Sequence, residues 1–174
     1  MTTVYARLLG TRLAQLSDDL QAVHMTHGRF CGRITVSVSQ NPVLRHAAGL
    51  AGFPPATDDA PFVFSTHPDG KADIWTRQIG ATVMTSRLWI TDDGLLAEKM
   101  GAVTAISALL ITPDGGLALQ LRRFQALGCP IPFAAAPRVR ATERGQGGAY
   151  RFDVAIGLPI LRSNLVHYRG HLSI

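Results

Sequence analysis

The punctuation of this chain constrains its fold more than any other feature. From Pro61 onward, short segments alternating apolar and polar residues are cut by turn signals every ten or so positions. These are Pro68-Asp69-Gly70, Gly80, Asp92-Asp93-Gly94, Pro113-Asp114-Gly115-Gly116 and Gly145-Gln146-Gly147-Gly148. Asp-Gly and Gly-Gly pairs supply the positive backbone dihedrals of tight hairpins, so successive segments are expected to pair antiparallel. The expected strands are 62–66, 72–79, 82–91, 95–100, 102–112, 117–124, 138–143, 150–158 and 165–172. About eight or nine such strands exceed what an open sheet carries flat. An antiparallel β-barrel or strongly curved sheet is expected.

The first 60 residues have another period. Leu9, Leu13, Leu16, Leu20 and Val23 recur at helical spacing. Ser17 before Asp18 and Asp19 reads as a fresh N-cap with acids in the first turn, which divides the stretch into two short helices. A further helix is bounded by Asn41 as N-cap, Pro42 at the first helical position and Gly52 as the stop before Pro54-Pro55. Between them, Phe30, Gly32, Ile34, Val36 and Val38 alternate with polar neighbours over a strand at 29–39. The expected class is α+β, mostly β. It is a single domain over 1–174, with helices and one strand in 1–60 and antiparallel strands in 61–174, the helices packed over a mouth or open side.

Composition narrows the function classes. With 47% hydrophobic and 17% charged residues, the chain can bury a core and is not of the disordered class. The most apolar stretch, 102–111, is about half of what a helix needs to span a bilayer. Residues 1–7 lack a basic region followed by an apolar run, so no leader peptide is expected, and the expected location is cytoplasmic. The two cysteines, Cys31 and Cys129, make no disulfide framework and are read as small hydrophobes.

Net charge is +5, and the excess sits late in the chain. Between 122 and 169 there are eight arginines (122, 123, 138, 140, 144, 151, 162, 169) against Glu143 and Asp153. A nucleic-acid surface would add aromatics in a groove-reading pattern, which Phe124, Tyr150, Phe152 and Tyr168 do not form. Arg138, Arg140 and Arg151 alternate with apolar residues as solvated strand faces do. A basic outer surface is expected, with no nucleic-acid or membrane partner.

Several segments in order carry a resemblance. They run from Leu8-Leu9-Gly10 and Leu20-Gln21-Ala22-Val23-His24 through Gly52-Phe53-Pro54-Pro55, Trp75-Thr76-Arg77, Ser86 and Glu98-Lys99. They continue through Leu127-Gly128-Cys129-Pro130-Ile131-Pro132, Pro137, Glu143, Phe152-Asp153-Val154 and Pro159 to Val166-His167-Tyr168-Arg169-Gly170. Together they resemble a bacterial family of domains of unknown function, family 4166, whose members often follow a saccharopine-dehydrogenase-like NAD(P)-binding domain. Ser17, Lys99 and His171 depart from the pattern, where proline, arginine and an aromatic are usual. The resemblance implies a fold and a neighbourhood in which an NAD(P)-dependent oxidoreductase is a partner. No G-x-G-x-x-G follows a strand here, so the chain itself is expected to hold no dinucleotide.

The tightest polar set is Trp75, Arg77, Ser86 and Glu98 on three successive strands. Facing inward, Arg77 and Glu98 would meet beside an indole. Such a pair can anchor a carboxylate or carbonyl, or it can move a proton, and it can equally be a structural ion pair. Arg77 and Glu98 are the candidate catalytic pair, and Trp75, Ser86, His24 and Tyr168 are candidate ligand contacts. A bland reading has His24 at a helix C-terminus and His167 on an outward strand face. The histidine and cysteine spacings match no metal motif, and Ser86 lies in no nucleophile elbow, so neither metal nor cofactor is expected.

The expected function is a barrel that binds a small apolar or amphipathic molecule, accessory to redox or natural-product metabolism. The alternative is a cofactor-independent isomerase, cyclase or dehydratase working inside the barrel. A third reading is an interaction domain whose arginine-rich face meets an acidic protein.

Overall fold

The structure, a computed structural model, describes residues 2–50, 52–159 and 164–174. Arg162, one of the eight late arginines, lies outside the described residues. The chain opens with α1 (Val4–Leu9), a 3-10 segment (Gly10–Gln15) and α2 (Asp18–Met25). The apolar stripe read from the sequence is buried throughout: Leu9, Leu13, Leu16, Leu20 and Val23 all lie in the core. Ser17 does break the stretch in two, although its hydroxyl makes no capping bond.

Strand β1 (Arg29–Val38) leads to α3 (Pro42–Leu50). Asn41 caps α3 through its side-chain oxygen, which accepts from the Val43 and Leu44 amides at 3.0 and 3.3 Å. The remaining strands are β2 (Thr57–Asp69), β3 (Ala72–Ile79), β4 (Thr82–Ile90), β5 (Leu96–Met100), β6 (Val103–Ile111), β7 (Leu117–Ala126), β8 (Cys129–Ile131), β9 (Arg138–Gly145), β10 (Ala149–Gly157) and β11 (Asn164–Ser173). Each pairs antiparallel with its chain neighbours, except that β7 passes over β8 to reach β9, and β11 returns to β1. The result is a closed ten-stranded up-and-down barrel with β8 as an eleventh strand at the edge of β7.

The ring has ten strands where eight or nine were expected, because β1, the strand read at 29–39, joins it. Two further segments differ from the expectation. First, β8 falls in the proline-rich connection. It exists because Leu127 and Gly128, at φ of 52° and 79°, form a two-residue hairpin turn that folds Cys129 back onto Ala126. Second, β2 begins at Thr57 rather than at the expected 62. There the alternation is hidden by Asp58 and Asp59, which point outward to Thr35 and Arg33, and by a bulge between Ile34 and Val36. Both cysteines, read as small hydrophobes, are exposed. Cys31 alternates with inward Phe30 and Gly32, so the pleat turns it outward.

The two ends of the barrel are closed differently. Helices α1 and α2 lie across the end formed by the β2–β3, β6–β7 and β9–β10 turns. Arg7 donates to the Lys71 carbonyl at 2.7 Å, and the Ser17 amide donates to the Gly115 carbonyl at 2.9 Å. At the other end α3 rests against β11, and Phe53 packs on Tyr168 with ring centroids 6.2 Å apart. Barrel closure itself rests on β1 and β11. At Gly32 a Cβ would overlap the His171 carbonyl, and at Gly170 one would overlap the Arg33 carbonyl, so only glycine lets these backbones approach.

Candidate functional site

The register of β3, β4 and β5 brings the expected set together. Trp75 lies opposite Ser86, and Leu88 lies opposite Glu98, so Trp75, Arg77, Ser86 and Glu98 all point into the barrel. Arg77 donates from Nη1 to Ser86 Oγ at 2.8 Å and from Nη2 to Glu98 Oε1 at 2.9 Å. Its guanidinium lies 5.2 Å from the Trp75 ring centroid and 6.0 Å from that of Phe64, within cation–π range of both. Desolvation opposes the Arg77 charge, but the charge and hydrogen bond of Glu98 outweigh it and hold its pKa above the ordinary arginine value.

This pair is inward but not sealed. The side chains of Arg77 and Glu98 keep 23% and 25% of their exposure, whereas Trp75, Ile79, Leu88 and Leu96 around them are buried.

Below the pair lies a second polar centre that the sequence reading did not assemble. His24 does not cap its helix through its side chain. Its Nε2 is 2.7 Å from Glu143 Oε2 on β9, with both residues buried. Tyr5 from α1 stacks on the imidazole at 4.2 Å with planes 6° apart, and Tyr150 meets it edge-on at 5.7 Å. Tyr5 also stacks on Trp75 at 5.2 Å. A continuous column therefore runs from Glu98 through Arg77, Trp75, Tyr5 and His24 to Glu143. Burial pushes the Tyr5 and Tyr150 phenols well above their ordinary value, and the nearby Glu143 carboxylate adds to the shift in each. A carboxylate at Nε2 favours the tautomer with its proton there, which leaves Nδ1 as an acceptor. Among the described residues, Nδ1 has no hydrogen-bond partner.

Tyr168 faces the same interior from β11, opposite Val36. Burial raises its phenol pKa, against the pull of Arg77, and its buried hydroxyl has no partner among the described residues. His167 points outward, 3.1 Å from Asp153. Asp73 is a further buried acid, and it binds the plug to the wall. It accepts from the Val4 amide at 2.6 Å and lies 2.9 Å from His27 Nε2.

Of these, Glu143 had a usable signal. Along β9, Ala141 and Glu143 take inward positions between the outward Arg140, Thr142 and Arg144, and a carboxylate on an apolar face requires a buried partner. Tyr5 had no such signal, because its partners come from α2 and β3.

Fold and interior together define an up-and-down antiparallel β-barrel, plugged at one end by helices and carrying a column of ionisable and aromatic groups. The chain belongs to the family of the domain of unknown function DUF4166, whose family model matches residues 16–172. A solved protein of unknown function from the DUF3598 family of Nostoc punctiforme is similar in structure, with 11% identity and a TM-score of 0.46. The alignment covers 85% of this chain and 47% of that one, so this chain spans about half the length of that protein. No curated protein matches the sequence. No helix among the described residues is long and apolar enough to cross a membrane.

Proposed function

We propose that the barrel holds one small apolar or amphipathic molecule, with its polar end on Arg77. The observation that carries this reading is the incomplete burial of the Arg77–Glu98 pair inside an otherwise apolar wall. Complete enclosure would add desolvation cost to the pair, and the exposure it keeps leaves the guanidinium within reach of an incoming carboxylate or carbonyl. The inward neighbours toward the α3 end support the same view. Val103 and Ala105 on β6, and Val154 and Ile156 on β10, face inward by register yet stay only half-buried. Arg77 would bind a carboxylate or carbonyl, Ser86 and Glu98 would orient the guanidinium, and the Tyr168 hydroxyl would donate to a second oxygen. Such a ligand suits exchange with an NAD(P)-dependent oxidoreductase, as substrate or product of redox chemistry.

A second reading is favoured by the His24–Glu143 contact, with Nδ1 left as an acceptor inside the same column. In that reading the barrel is a cofactor-independent isomerase, cyclase or dehydratase. Glu98 moves a proton, Arg77 steadies an enolate-like charge and Trp75 shapes the pocket.

The test is mass spectrometry of the purified protein, native and then denatured, followed by the same measurement on Glu98→Gln. A discrete molecule released on denaturation supports the lumen site. Retention of that molecule by Glu98→Gln with modest loss of affinity favours the binder, and loss of turnover with binding intact favours the enzyme. A protein that releases nothing and takes up no amphipathic probe would end both readings.

A further inference from the structure

The barrel wall has one weak seam. Strand β7 pairs with β9 only over Leu117–Leu119 and with β8 only over Phe124–Ala126, so residues 120–123 face no strand on that side. On the facing strand, β9 pairs with β7 only from Ala141 to Glu143, which leaves 138–140 without a partner there. Between the two lies a crevice of about 570 Å³, within the size range of small-molecule sites.

Residues of both faces of the wall line the crevice. Leu119 and Val139, which line it, point inward, since they lie opposite Leu109 and Ile156. Its outer lip carries Phe133, a large apolar side chain left 74% exposed. Arg138 and Arg140 stand at the same lip, both outward on β9 and exposed. Among the described residues Arg138 makes no ion pair, and the nearest carboxylate oxygen to Arg140 belongs to Asp153, at 3.9 Å. An apolar slot with two under-neutralised guanidinium groups at its mouth is complementary to an apolar body that ends in an acid.

We propose that the β7–β9 seam binds an amphipathic anion, its body between the strands and its acid group on Arg138 and Arg140. The seam is then the passage by which such a molecule reaches the lumen. The binding site stands on its own observations, and only the passage rests on the lumen reading above. The plug helices α1 and α2 occupy the end of the barrel away from the seam.

The experiment compares two fluorescent probes that share an aromatic body, anilinonaphthalene sulfonate and uncharged phenylnaphthylamine, titrated into the whole protein at low and moderate salt. The sulfonate should bind about fivefold or more tightly than the neutral probe, and salt should narrow the gap. Arg138→Glu with Arg140→Glu should weaken the sulfonate about tenfold and the neutral probe less than twofold. The control pair Arg12→Glu with Arg29→Glu, of equal charge change on exposed arginines away from the seam, should leave both unchanged. Ala134→Trp, which fills the crevice from an exposed position, should weaken both probes. Equal affinity for the two probes, or a rim variant within twofold of the original, would overturn the proposal. Failure of the lumen reading looks different: Arg77→Met with Glu98→Gln would then bind and exchange the sulfonate at the original rates, while the rim variants still lose it.

Discussion

Tyr5 and His24, from the two helices of the N-terminal plug, lie ring on ring with centroids 4.2 Å apart and planes 6° from parallel. Their stack continues onto Trp75 of the barrel wall, 5.2 Å from Tyr5. The plug therefore does more than cover an end of the barrel. It forms the floor of the interior, and it brings an imidazole to a carboxylate 119 residues away. Any reading of the site has to treat helices and barrel as one unit.

The first prediction concerns that imidazole. Glu143→Ala leaves His24 with neither ring nitrogen bonded inside a buried aromatic cage, and a buried polar group stripped of its partner incurs its full desolvation penalty uncompensated. Destabilisation of about 3 kcal/mol is expected in urea unfolding. The double variant His24→Phe with Glu143→Leu should recover much of that, because both polar partners leave together. A Glu143→Ala protein within about 1 kcal/mol of the original would show that the contact contributes little.

Asp73 makes a more local claim. Its carboxylate holds the Val4 amide at 2.6 Å and lies 2.9 Å from His27 Nε2, so Asp73→Ala removes the hydrogen bond between α1 and β3. Amides of α1 and α2 should exchange faster by about 2 kcal/mol of lost protection, while those of β10 and β11 keep theirs. Uniform loss across the barrel would mean that plug and barrel open only together.

The barrel was legible in the sequence because its signals are local. Asp69-Gly70, Asp93-Gly94 and Gly115-Gly116 mark turns whatever lies elsewhere in the chain, and 72–79 coincides with β3 to the residue. The grouping of Arg77, Ser86 and Glu98 was legible for the same reason, since they lie on neighbouring hairpin strands whose register follows from short turns. The return of β11 to β1 was not, because a closing pair leaves no turn between its strands. His24 with Glu143 was not either: a contact between the floor helix and β9 depends on how the barrel closes. Asp58 and Asp59 hid the start of β2, because their outward partners, Thr35 and Arg33, become visible only in register.

Closure gives the third prediction. At Gly32 a methyl group would fall on the His171 carbonyl, and backbone cannot move aside as a flexible side chain can. Gly32→Ala should cost roughly 3 kcal/mol, near the upper end of overpacking effects, and should loosen the β1–β11 pair first. Gly49→Ala is the matched control, since nothing lies within 4 Å of a Cβ built there. Equal melting temperatures for the two variants would refute the close-approach argument.

Alkaline pH gives the fourth. The three tyrosines, Tyr5, Tyr150 and Tyr168, all sit in the interior, and burial raises the pKa of each above its ordinary value near 10. In the unfolded chain they ionise at about 10, so above that pH the unfolded state holds fewer protons than the folded one. The stabilisation is complete below pH 10 and is lost as pH rises from there toward the folded values. Once the unfolded phenols are ionised, each tyrosine contributes a fall of about 1.4 kcal/mol per pH unit, so the three together give up to about 4. The chain has only two lysines, Lys71 and Lys99, and both are exposed. The curve should therefore belong mainly to the phenols. Tyrosinate absorbance should appear together with unfolding, and Tyr150→Phe should flatten the slope by about a third. Absorbance rising near pH 10 while the fold stays intact would mean that these rings are reached by water, and the interior around Tyr5 and Tyr150 could not then be closed to solvent.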